Sequence, residues 1–327
     1  MEYTRLGNTG TTVSKICLGC MSFGDSTQGL TGQGWALNEE KSREVIKRAL
    51  DLGINFFDTA NVYSAGTSEE IVGRALRDMA KRDEIVLATK VCFPVTPGLN
   101  HGGLSRKAIM HEIDASLKRL GMDYVDLYII HRWDSKTPAE EIMEALHDVV
   151  KAGKARYIGA SSMYAWQFTK AQYIAEKNGW TKFVTMQDLY NLLYREEERE
   201  MVGACQDMNV GMTPWSPMAK GRLARPLGTH TQRYDNEMIG RRFFPDEDKS
   251  NQEIIARVQK VAADRGIEMS QVALAWVLSK PYITAPVIGA TKPQYVDSAV
   301  GALDVKLTAE EIAYLEEPYV PHSVVGF

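Results

Sequence analysis

Short apolar runs alternate with amphipathic segments along most of the chain. Each apolar run has the length of a buried strand, and the predicted strands are Ile16–Met21, Ile54–Phe57, Ile85–Thr89, Val125–Ile130, Ala155–Ala160, Phe183–Met186, Val210–Pro214 and Ile283–Ile288. The segments between them carry apolar residues at helical spacing. The predicted helices are Glu39–Asp51, Ser68–Met79, Ser105–Leu120, Pro138–Ala152, Ala165–Asn178, Glu196–Met208, Asn251–Arg265, Ser270–Ser279 and Lys292–Val300.

Eight alternating strand and helix units favour a closed parallel (β/α)8 TIM barrel over an open α/β sheet. An open doubly wound sheet would carry a Gly-x-Gly-x-x-Gly turn after its first strand. The nearest match, Gly32-Gln-Gly34, lacks the third glycine and follows no strand. No linker or shift in composition divides the chain, so we predict one barrel domain over residues 1–327.

Several segments lie outside the repeated pattern. An Asn-Thr-Gly turn between two short apolar stretches predicts an N-terminal β-hairpin. Two connections, after the third and the seventh strand, are long enough to be lids or binding loops, and a last helix precedes a C-terminal tail. The segments are the hairpin strands Tyr3–Leu6 and Val13–Ile16, the loops Val91–Leu104 and Ser216–Ser250, the helix Thr308–Glu317 and the tail Pro318–Phe327.

The composition is that of a globular protein with enough apolar residues for a large core. Hydrophobic residues make up 44% of the chain, charged residues 24%, and the formal net charge is -4. This charge gives no reason to expect nucleic acid or a membrane as a partner, and no apolar run is long enough to span a membrane. The charged run Arg195–Glu200 is interpreted as the solvated first turn of a helix, with its acids complementing the helix dipole. We expect a cytoplasmic protein whose partner is a small molecule.

Four cysteines fit a reducing compartment and do not predict a disulfide framework. Cys17 and Cys20 form an isolated C-x-x-C pair. Residues three apart on a strand face opposite sides, however, and no second pair follows in the sequence. We therefore interpret both cysteines as packing residues and expect no metal site.

Functional side chains follow six successive predicted strands. In a (β/α)8 barrel the carboxyl ends of all strands meet at one rim, and active sites lie there. In strand order, the residues are Asp58, Lys90, His131, Ser161 with Ser162, Gln187, and Trp215 with Ser216 and Pro217. Each is common at a strand end when taken alone, but together they predict a site at this rim.

Three of these residues and one tyrosine suggest a chemistry. Asp58 and Lys90 lie on neighbouring strands and can pair, which lets both be buried. Tyr63 would then reach the Lys90 ammonium, and a nearby positive charge lowers the pKa of a phenol toward working pH. His131 would hold a substrate oxygen. Such a set protonates an oxygen, and a reduction would also need a hydride from a nicotinamide cofactor.

The same residues leave another chemistry open. A strand-end lysine in a barrel can act as a nucleophile, so a Schiff-base aldolase using Lys90 is an alternative, although pairing with Asp58 would keep the amine charged. Metalloprotease and serine-hydrolase motifs are incomplete. His111-Glu lacks the second histidine of H-E-x-x-H, and the segment around Ser161 lacks the closing glycine of G-x-S-x-G.

Asp58, Tyr63, Lys90 and His131 resemble the catalytic tetrad of the aldo-keto reductases. Further motifs follow the order of that family over nearly the whole chain, and the Trp-Ser-Pro form is similar to the branch that contains potassium-channel β-subunits and bacterial reductases. The motifs are Gly19-Cys-Met, Phe57-Asp-Thr-Ala, Ala88-Thr-Lys, Ile130-His-Arg, Tyr157-Ile-Gly-Ala-Ser, Met186-Gln, Pro214-Trp-Ser-Pro-Met and Pro286-Val-Ile-Gly-Ala-Thr-Lys.

The resemblance implies NADPH-dependent reduction of an aldehyde or ketone. It makes Tyr63 the general acid, with Lys90 lowering its pKa, Asp58 holding Lys90, and His131 orienting the carbonyl. The implied cofactor-binding residues are Cys20, Met21, Asp58, Ser161, Ser162, Gln187, Trp215, Ser216, Pro217, Met218, Ala219, Lys220, Gly221, Gly289, Thr291 and Lys292. Of these, Trp215 would stack on the nicotinamide, and Lys292 would meet the adenosine 2′-phosphate.

Aromatic residues near the rim are candidates for an apolar substrate pocket, and they are Phe23, Trp35, Phe93, Trp133 and Tyr164. The resemblance also leaves open an NADPH-binding regulatory subunit with weak turnover, as in the channel-associated relatives. His131 disfavours this alternative, because those relatives tend to carry asparagine at that position.

Overall fold

A computed structural model of the protein describes residues 1–27, 35–229, 243–245 and 248–326. Part of the predicted loop Ser216–Ser250 and the glycines at 32 and 34 lie outside the described residues. The chain begins with a hairpin in which β1 (Tyr3–Arg5) pairs antiparallel with β2 (Thr12–Ser14). This pairing confirms the predicted N-terminal hairpin.

Eight parallel strands follow the hairpin and form one sheet. They are β3 (Cys17–Gly19), β4 (Phe56–Asp58), β5 (Val86–Val91), β6 (Val125–Ile130), β7 (Ala155–Ser161), β8 (Phe183–Gln187), β9 (Gly211–Met212) and β10 (Val287–Gly289). Strands that are consecutive from β3 to β9 are neighbours in the sheet, and β10 pairs with β3. Parallel bridges from Met212 to Ile283 and from Trp215 to Val287 join the seventh unit to the eighth. The sheet therefore closes, which confirms the predicted (β/α)8 barrel.

The helices of the described residues surround this sheet. They are α1 (Glu39–Asp51), α2 (Thr67–Met79), α3 (Arg106–Leu120), α4 (Ala139–Lys151), α5 (Ala165–Asn178), α6 (Met201–Asp207), α7 (Lys249–Arg265), α8 (Met269–Leu278), α9 (Pro293–Gly301) and α10 (Ala309–Glu316). Asn38, Ser105 and Thr308 cap α1, α3 and α10 by accepting hydrogen bonds from first-turn amides. None of the helices described here is both long and apolar enough to cross a membrane.

The strands are apolar because both of their faces are buried. Phe56 and Leu127 belong to a cluster inside the barrel, which the hairpin completes with the fully buried Leu6 and Val13. Alternate residues such as Phe57 belong to a larger cluster between the sheet and the helices. Parallel strands buried on both faces appear in a sequence as continuous apolar runs. The hairpin packs at the amino-terminal end of the barrel, so the opposite end is the one available for a site.

Predicted boundaries differ most in the last two barrel strands. The seventh strand was predicted over five residues but is the two-residue β9, and the eighth is the three-residue β10 after a single bridge at Ile283. Proline is the physical reason, because Pro214 and Pro286 have no N–H to contribute to the hydrogen-bond ladder. Their carbonyls do take part and accept from Val287 N at 2.8 Å and Cys17 N at 3.1 Å.

The predicted helix Glu196–Met208 is interrupted. A 3-10 turn over Glu196–Glu198 precedes α6, and the acids of that turn are not solvated as expected. Glu196 and Glu197 are each only 5% exposed. Glu196 accepts hydrogen bonds from the Tyr319 hydroxyl at 2.6 Å and from His322 N at 3.0 Å. The carboxylate therefore anchors the C-terminal tail, and the interpretation of this run as a solvated helix start is wrong.

Helices α2 and α3 approach each other closely at Gly73. A β-carbon added to Gly73 would lie 2.1 Å from the carbonyl oxygen of Leu120, which belongs to the backbone and has little freedom to move. We expect Gly73→Ala to force the helices apart and to cost about 1–3 kcal/mol of stability.

Gly203 in α6 is the matched control, because no described atom beyond its chain neighbours and its own helix backbone lies within 4 Å of a β-carbon added there. Gly203→Ala should be neutral or stabilising by about 0.5–1 kcal/mol, since alanine loses less backbone entropy on folding. Denaturant unfolding midpoints measure both effects. Equal midpoints for the two variants would contradict the close approach at Gly73.

Candidate active site

The carboxyl ends of successive strands bring the predicted functional residues to one end of the barrel. Asp58 is the last residue of β4, and Lys90 is the second-to-last residue of β5. His131 directly follows β6, while Ser161 and Gln187 end β7 and β8. The closed sheet turns these sequence-distant positions into neighbours at one rim.

Lys90 is fully buried, and its ammonium is surrounded by oxygen atoms. Its Nζ contacts the Asp58 carboxylate, and donates to Thr59 O at 2.8 Å and to the Tyr63 hydroxyl at 3.2 Å. The second carboxylate oxygen of Asp58 accepts from Gln187 Nε2 at 2.9 Å. These additional hydrogen bonds allow a buried ion pair to be tolerated. The arrangement holds one charged amine directly against one phenol.

The charge state of Lys90 follows from its partners. Burial alone lowers the pKa of a lysine, but the Asp58 carboxylate and the Tyr63 hydroxyl outweigh it, so the pKa of Lys90 is raised. The amine therefore remains an ammonium at neutral pH. A charged ammonium cannot attack a carbonyl carbon, which disfavours the Schiff-base aldolase alternative.

The pKa of Tyr63 moves in the direction opposite to the one expected from sequence. Burial disfavours the phenolate more than the Lys90 charge favours it, and the net pKa of Tyr63 is raised. The expectation that Lys90 brings this pKa down toward working pH is therefore wrong as a net effect. At neutral pH Tyr63 is protonated, which is the form that a proton donor needs.

The segment after Tyr63 has an unusual backbone. Ser64, Ala65 and Gly66 are all left-handed, with φ of 47°, 53° and 92°. Each of the two non-glycine residues is disfavoured there by of order 1 kcal/mol. Helix α2 begins after Gly66, so Ser68, the predicted first residue of the helix, lies inside it, where it is buried and donates to Cys20 O at 2.8 Å. This tight turn fixes where the Tyr63 side chain enters the site.

A buried network supports the segments that carry Tyr63 and Lys90. Glu69 is fully buried in α2, although the sequence predicted only a helix start there. Its carboxylate accepts from Thr89 Oγ1 at 2.5 Å and from Arg119 Nε at 2.5 Å. Thr89 directly precedes Lys90 on β5, so the network fixes the strand behind the catalytic candidates.

His131 stands edge-on to two aromatic rings, with its ring centroid 5.8 Å from that of Tyr63 and 5.1 Å from that of Phe93. Burial and the charges of Lys90 and Arg132 hold the pKa of His131 well below its ordinary value. The imidazole is therefore neutral at physiological pH. Its Nδ1 is buried without a hydrogen-bond partner in the described part of the chain. A neutral imidazole beside a phenol is suited to hold an uncharged carbonyl oxygen.

A continuous cavity of about 1200 Å³ opens at this end of the barrel. Its wall carries Asp58, Tyr63 and His131, and its lining extends past Trp215 to Lys292. Pockets for one drug-sized ligand span roughly 300–1,000 Å³. This cavity is large enough for a dinucleotide together with a small substrate.

Most of the predicted cofactor-binding residues line the cavity. They are Met21, Asp58, Ser161, Gln187, Trp215, Ser216, Pro217, Met218, Lys220, Gly221, Gly289, Thr291 and Lys292. Cys20, Ser162 and Ala219 do not line it. Cys20 and Ala219 are fully buried among apolar neighbours, and Ser162 Oγ accepts from Trp215 Nε1 at 3.0 Å. Ser162 therefore positions the indole ring from behind.

The backbone after Trp215 has the form of an anion-binding loop. Ser216, Ala219, Lys220 and Gly221 are left-handed, with φ of 51°, 48°, 55° and 97°. The Ser216 carbonyl is held by Asn191 Nδ2 at 3.0 Å. Turns of this kind orient backbone N–H groups into concavities that bind phosphate. The loop can therefore bind an anionic group.

Only part of the predicted aromatic pocket is observed. Trp35 and Phe93 line the cavity. Phe23 is fully buried in the core, Trp133 packs against that core, and Tyr164 is 46% exposed at the start of α5. These three predictions are wrong, because proximity to the rim in sequence does not determine which way a side chain points.

Sequence reasoning missed two charged residues at the site. Arg132 lines the cavity and was visible in the Ile130-His-Arg motif. Asp188 lies behind the wall, where its Oδ1 accepts from Ser162 N at 2.8 Å. Burial raises the pKa of Asp188 to about 7, and it raises the pKa of the adjacent Glu197 as well. No sequence pattern indicated that Asp188 and Glu197 form a buried carboxyl pair.

Comparison with known proteins agrees with this geometry. The profile of the aldo/keto reductase family matches residues 15–319. The chain is 48% identical to versiconal hemiacetal acetate reductase of Aspergillus parasiticus, over 99% of this chain and 98% of that protein. It is 45% identical to an aldo-keto reductase of Alternaria alternata, over 99% of this chain and 93% of that protein. An aldo-keto reductase of Fusarium vanettenii is 42% identical, over 100% of this chain and 93% of its own length. This chain thus belongs to the aldo/keto reductase family, whose members are oxidoreductases that act on carbonyl groups.

Proposed function

We propose that this protein reduces aldehydes or ketones to alcohols with NADPH as the reductant and Tyr63 as the general acid. One observation carries the proposal. Lys90 contacts the Asp58 carboxylate and lies 3.2 Å from the Tyr63 hydroxyl, and both Tyr63 and His131 line a cavity of dinucleotide size. The four cysteines are unpaired, which supports a cytoplasmic location because reducing compartments keep thiols free.

Each residue has a part in moving one proton. Tyr63, protonated at neutral pH, gives its proton to the substrate oxygen, and Lys90 stabilises the phenolate that remains. Asp58 keeps Lys90 charged and fixed in place. The neutral imidazole of His131 holds the carbonyl oxygen near the phenol. A reduced nicotinamide, when bound, supplies the hydride.

The residues that line the cavity support the proposal that it binds a dinucleotide with a 2′-phosphate. Ser161 and Gln187 would hold the nicotinamide end beside Trp215, and the left-handed loop 216–221 would hold the pyrophosphate. Lys292 is the N-cap of α9, where a lysine and a helix N-terminus together favour an anion. A phosphate there would distinguish NADPH from NADH.

Substitution of Lys292 tests this preference. We expect Lys292→Met to raise the KM for NADPH by roughly tenfold, the loss expected for one charge-assisted phosphate contact, and to change the KM for NADH little. Lys47→Met is the control, because Lys47 is exposed and pairs with Asp51 away from the cavity. An equal change in the KM for NADPH and the KM for NADH would show that Lys292 does not bind the 2′-phosphate.

The proposed reaction is tested by NADPH and NADH oxidation against aromatic aldehydes, α-keto aldehydes and sugar aldehydes. We expect carbonyl-dependent oxidation with NADPH preferred. Tight NADPH binding without turnover on any of these compounds would contradict the proposal and favour a regulatory subunit that binds NADPH.

A further inference from the structure

Arg132 occupies a distinctive position in the cavity. It follows His131 directly and lines the same wall. The centre of its guanidinium lies 5.9 Å from the ring centroid of Phe93 and 5.7 Å from that of Trp215. Its charge is also close enough to oppose the rise in the pKa of Tyr63. The guanidinium therefore lies between two aromatic walls, beside the residues that would hold the reacting carbonyl.

This guanidinium has no acidic partner among the residues that the structure describes. Its one hydrogen bond to the described chain runs from a terminal nitrogen to His131 O at 2.6 Å, and no described carboxylate oxygen lies within 4.0 Å. Arg119, which is also partly buried, shows the usual arrangement, with the Glu69 carboxylate at 2.5 Å. An arginine has five N–H donors, so most of those on Arg132 are available to a ligand.

The buried carboxyl groups at this end of the barrel do not cancel the charge of Arg132. Asp58 is committed to Lys90. Asp188 accepts a hydrogen bond from Ser162 N at 2.8 Å, and burial raises its pKa, which disfavours its charged form. The catalytic end of the cavity is therefore positive, and the charge is concentrated on one planar group.

We propose that Arg132 selects carbonyl substrates that carry a carboxylate, with aromatic acids preferred. The planar fork of a guanidinium matches the two oxygens of a carboxylate, and the flat face of Phe93 would guide an aromatic ring between the carboxylate and the carbonyl. This inference rests on the proposed function, because it names the substrate class of the same cavity.

The test compares two aldehydes that differ in charge. 4-Carboxybenzaldehyde and its methyl ester share the ring and the aldehyde, and the 3-carboxy pair probes the reach of Arg132. The ester group withdraws more electron density than a carboxylate, so intrinsic reactivity favours the ester. We expect the wild type to show a kcat/KM about 10- to 100-fold higher for the acid of the better-placed pair, as a charge-assisted bidentate contact would give.

Variants locate the source of this preference. In Arg132→Gln the acid-to-ester ratio should fall at least tenfold relative to the wild type, and Arg132→Lys should keep part of it, because a lysine retains the charge but loses the fork. Arg156→Gln is the control with the same change in charge. Arg156 is exposed near the amino-terminal end of β7 and donates to Gly153 O at 3.2 Å. The acid-to-ester ratio of Arg156→Gln should equal that of the wild type.

The possible results distinguish a failure of this inference from a failure of the proposed function. A wild-type ratio near one, or an equal loss for acid and ester in Arg132→Gln, would overturn the inference. A raised NADPH dissociation constant with an unchanged ratio would assign Arg132 to the cofactor phosphate and overturn it too. If neither aldehyde is turned over, the proposed function fails, and fluorescence titration of the acid and the ester with wild type and Arg132→Gln still decides whether Arg132 binds the carboxylate.

Discussion

Replacing Tyr63 by phenylalanine is expected to lower kcat for carbonyl reduction by roughly 10²- to 10⁴-fold, the usual contribution of a positioned general acid. The substitution removes one oxygen and keeps the ring that packs against His131. The cavity lining therefore stays in place, and the NADPH dissociation constant should be close to that of the wild type. Steady-state kinetics and a fluorescence titration with NADPH measure the two quantities.

Tyr157→Phe is a suitable control for this change. Its hydroxyl also makes one side-chain hydrogen bond, to Thr11 Oγ1 at 3.0 Å, but it lies on the strand rather than in the cavity. We expect full kcat from this variant. A Tyr63→Phe enzyme that kept a large share of wild-type kcat would show that the proton comes from another group.

Replacing Lys90 by methionine should have two large effects. Activity should fall because the phenolate left on Tyr63 loses its counter-charge at 3.2 Å. Stability should fall by about 3–5 kcal/mol because Asp58 is left buried with Gln187 as its remaining side-chain donor. The measurements are kcat/KM and the denaturant midpoint of unfolding.

A double variant separates these two effects. Asp58→Asn combined with Lys90→Met removes both charges, so we expect it to regain part of the lost stability without regaining activity. If the single variant unfolded at the wild-type midpoint, the buried ion pair would not have the role assigned to it. If the double variant regained turnover, Lys90 would not be needed for proton transfer.

Sequence alone was sufficient to predict the barrel and to place Asp58, Lys90 and His131 at one rim, for one physical reason. Parallel barrel strands are buried on both faces, so they appear as unbroken apolar runs. A charged residue directly after such a run then marks the rim, as Asp58 does after Phe57 and His131 does after Ile130. The end of a predicted strand therefore also identifies a residue that lies at the rim of the barrel.

Residues whose partners lie far along the chain were not predicted. Glu196 was interpreted as a solvated acid, but its partners, Tyr319 and His322, lie more than a hundred residues away. Glu69 was interpreted as a helix start, yet it pairs with Arg119, 50 residues later. A carboxylate with a distant partner has the same local pattern as a solvated one.

The degree of desolvation was also inaccessible from the sequence. The Lys90 charge was correctly expected to favour the Tyr63 phenolate, but the opposing effect of burial depends on the whole surrounding wall. The direction in which a side chain points also depends on the surrounding fold and could not be predicted from the sequence. Phe23 and Trp133 are close to the rim in sequence, but Phe23 is buried in the core and Trp133 packs against that core.

The most direct test of the account follows deuterium into the product. Wild-type protein is given a benzaldehyde and NADPH labelled with deuterium at both C4 positions, and the alcohol is analysed by mass spectrometry. We expect one deuterium per alcohol on the former carbonyl carbon, and roughly 10²- to 10⁴-fold less labelled alcohol from Tyr63→Phe in the same time. Alcohol without deuterium, or equal labelled product from Tyr63→Phe, would contradict it.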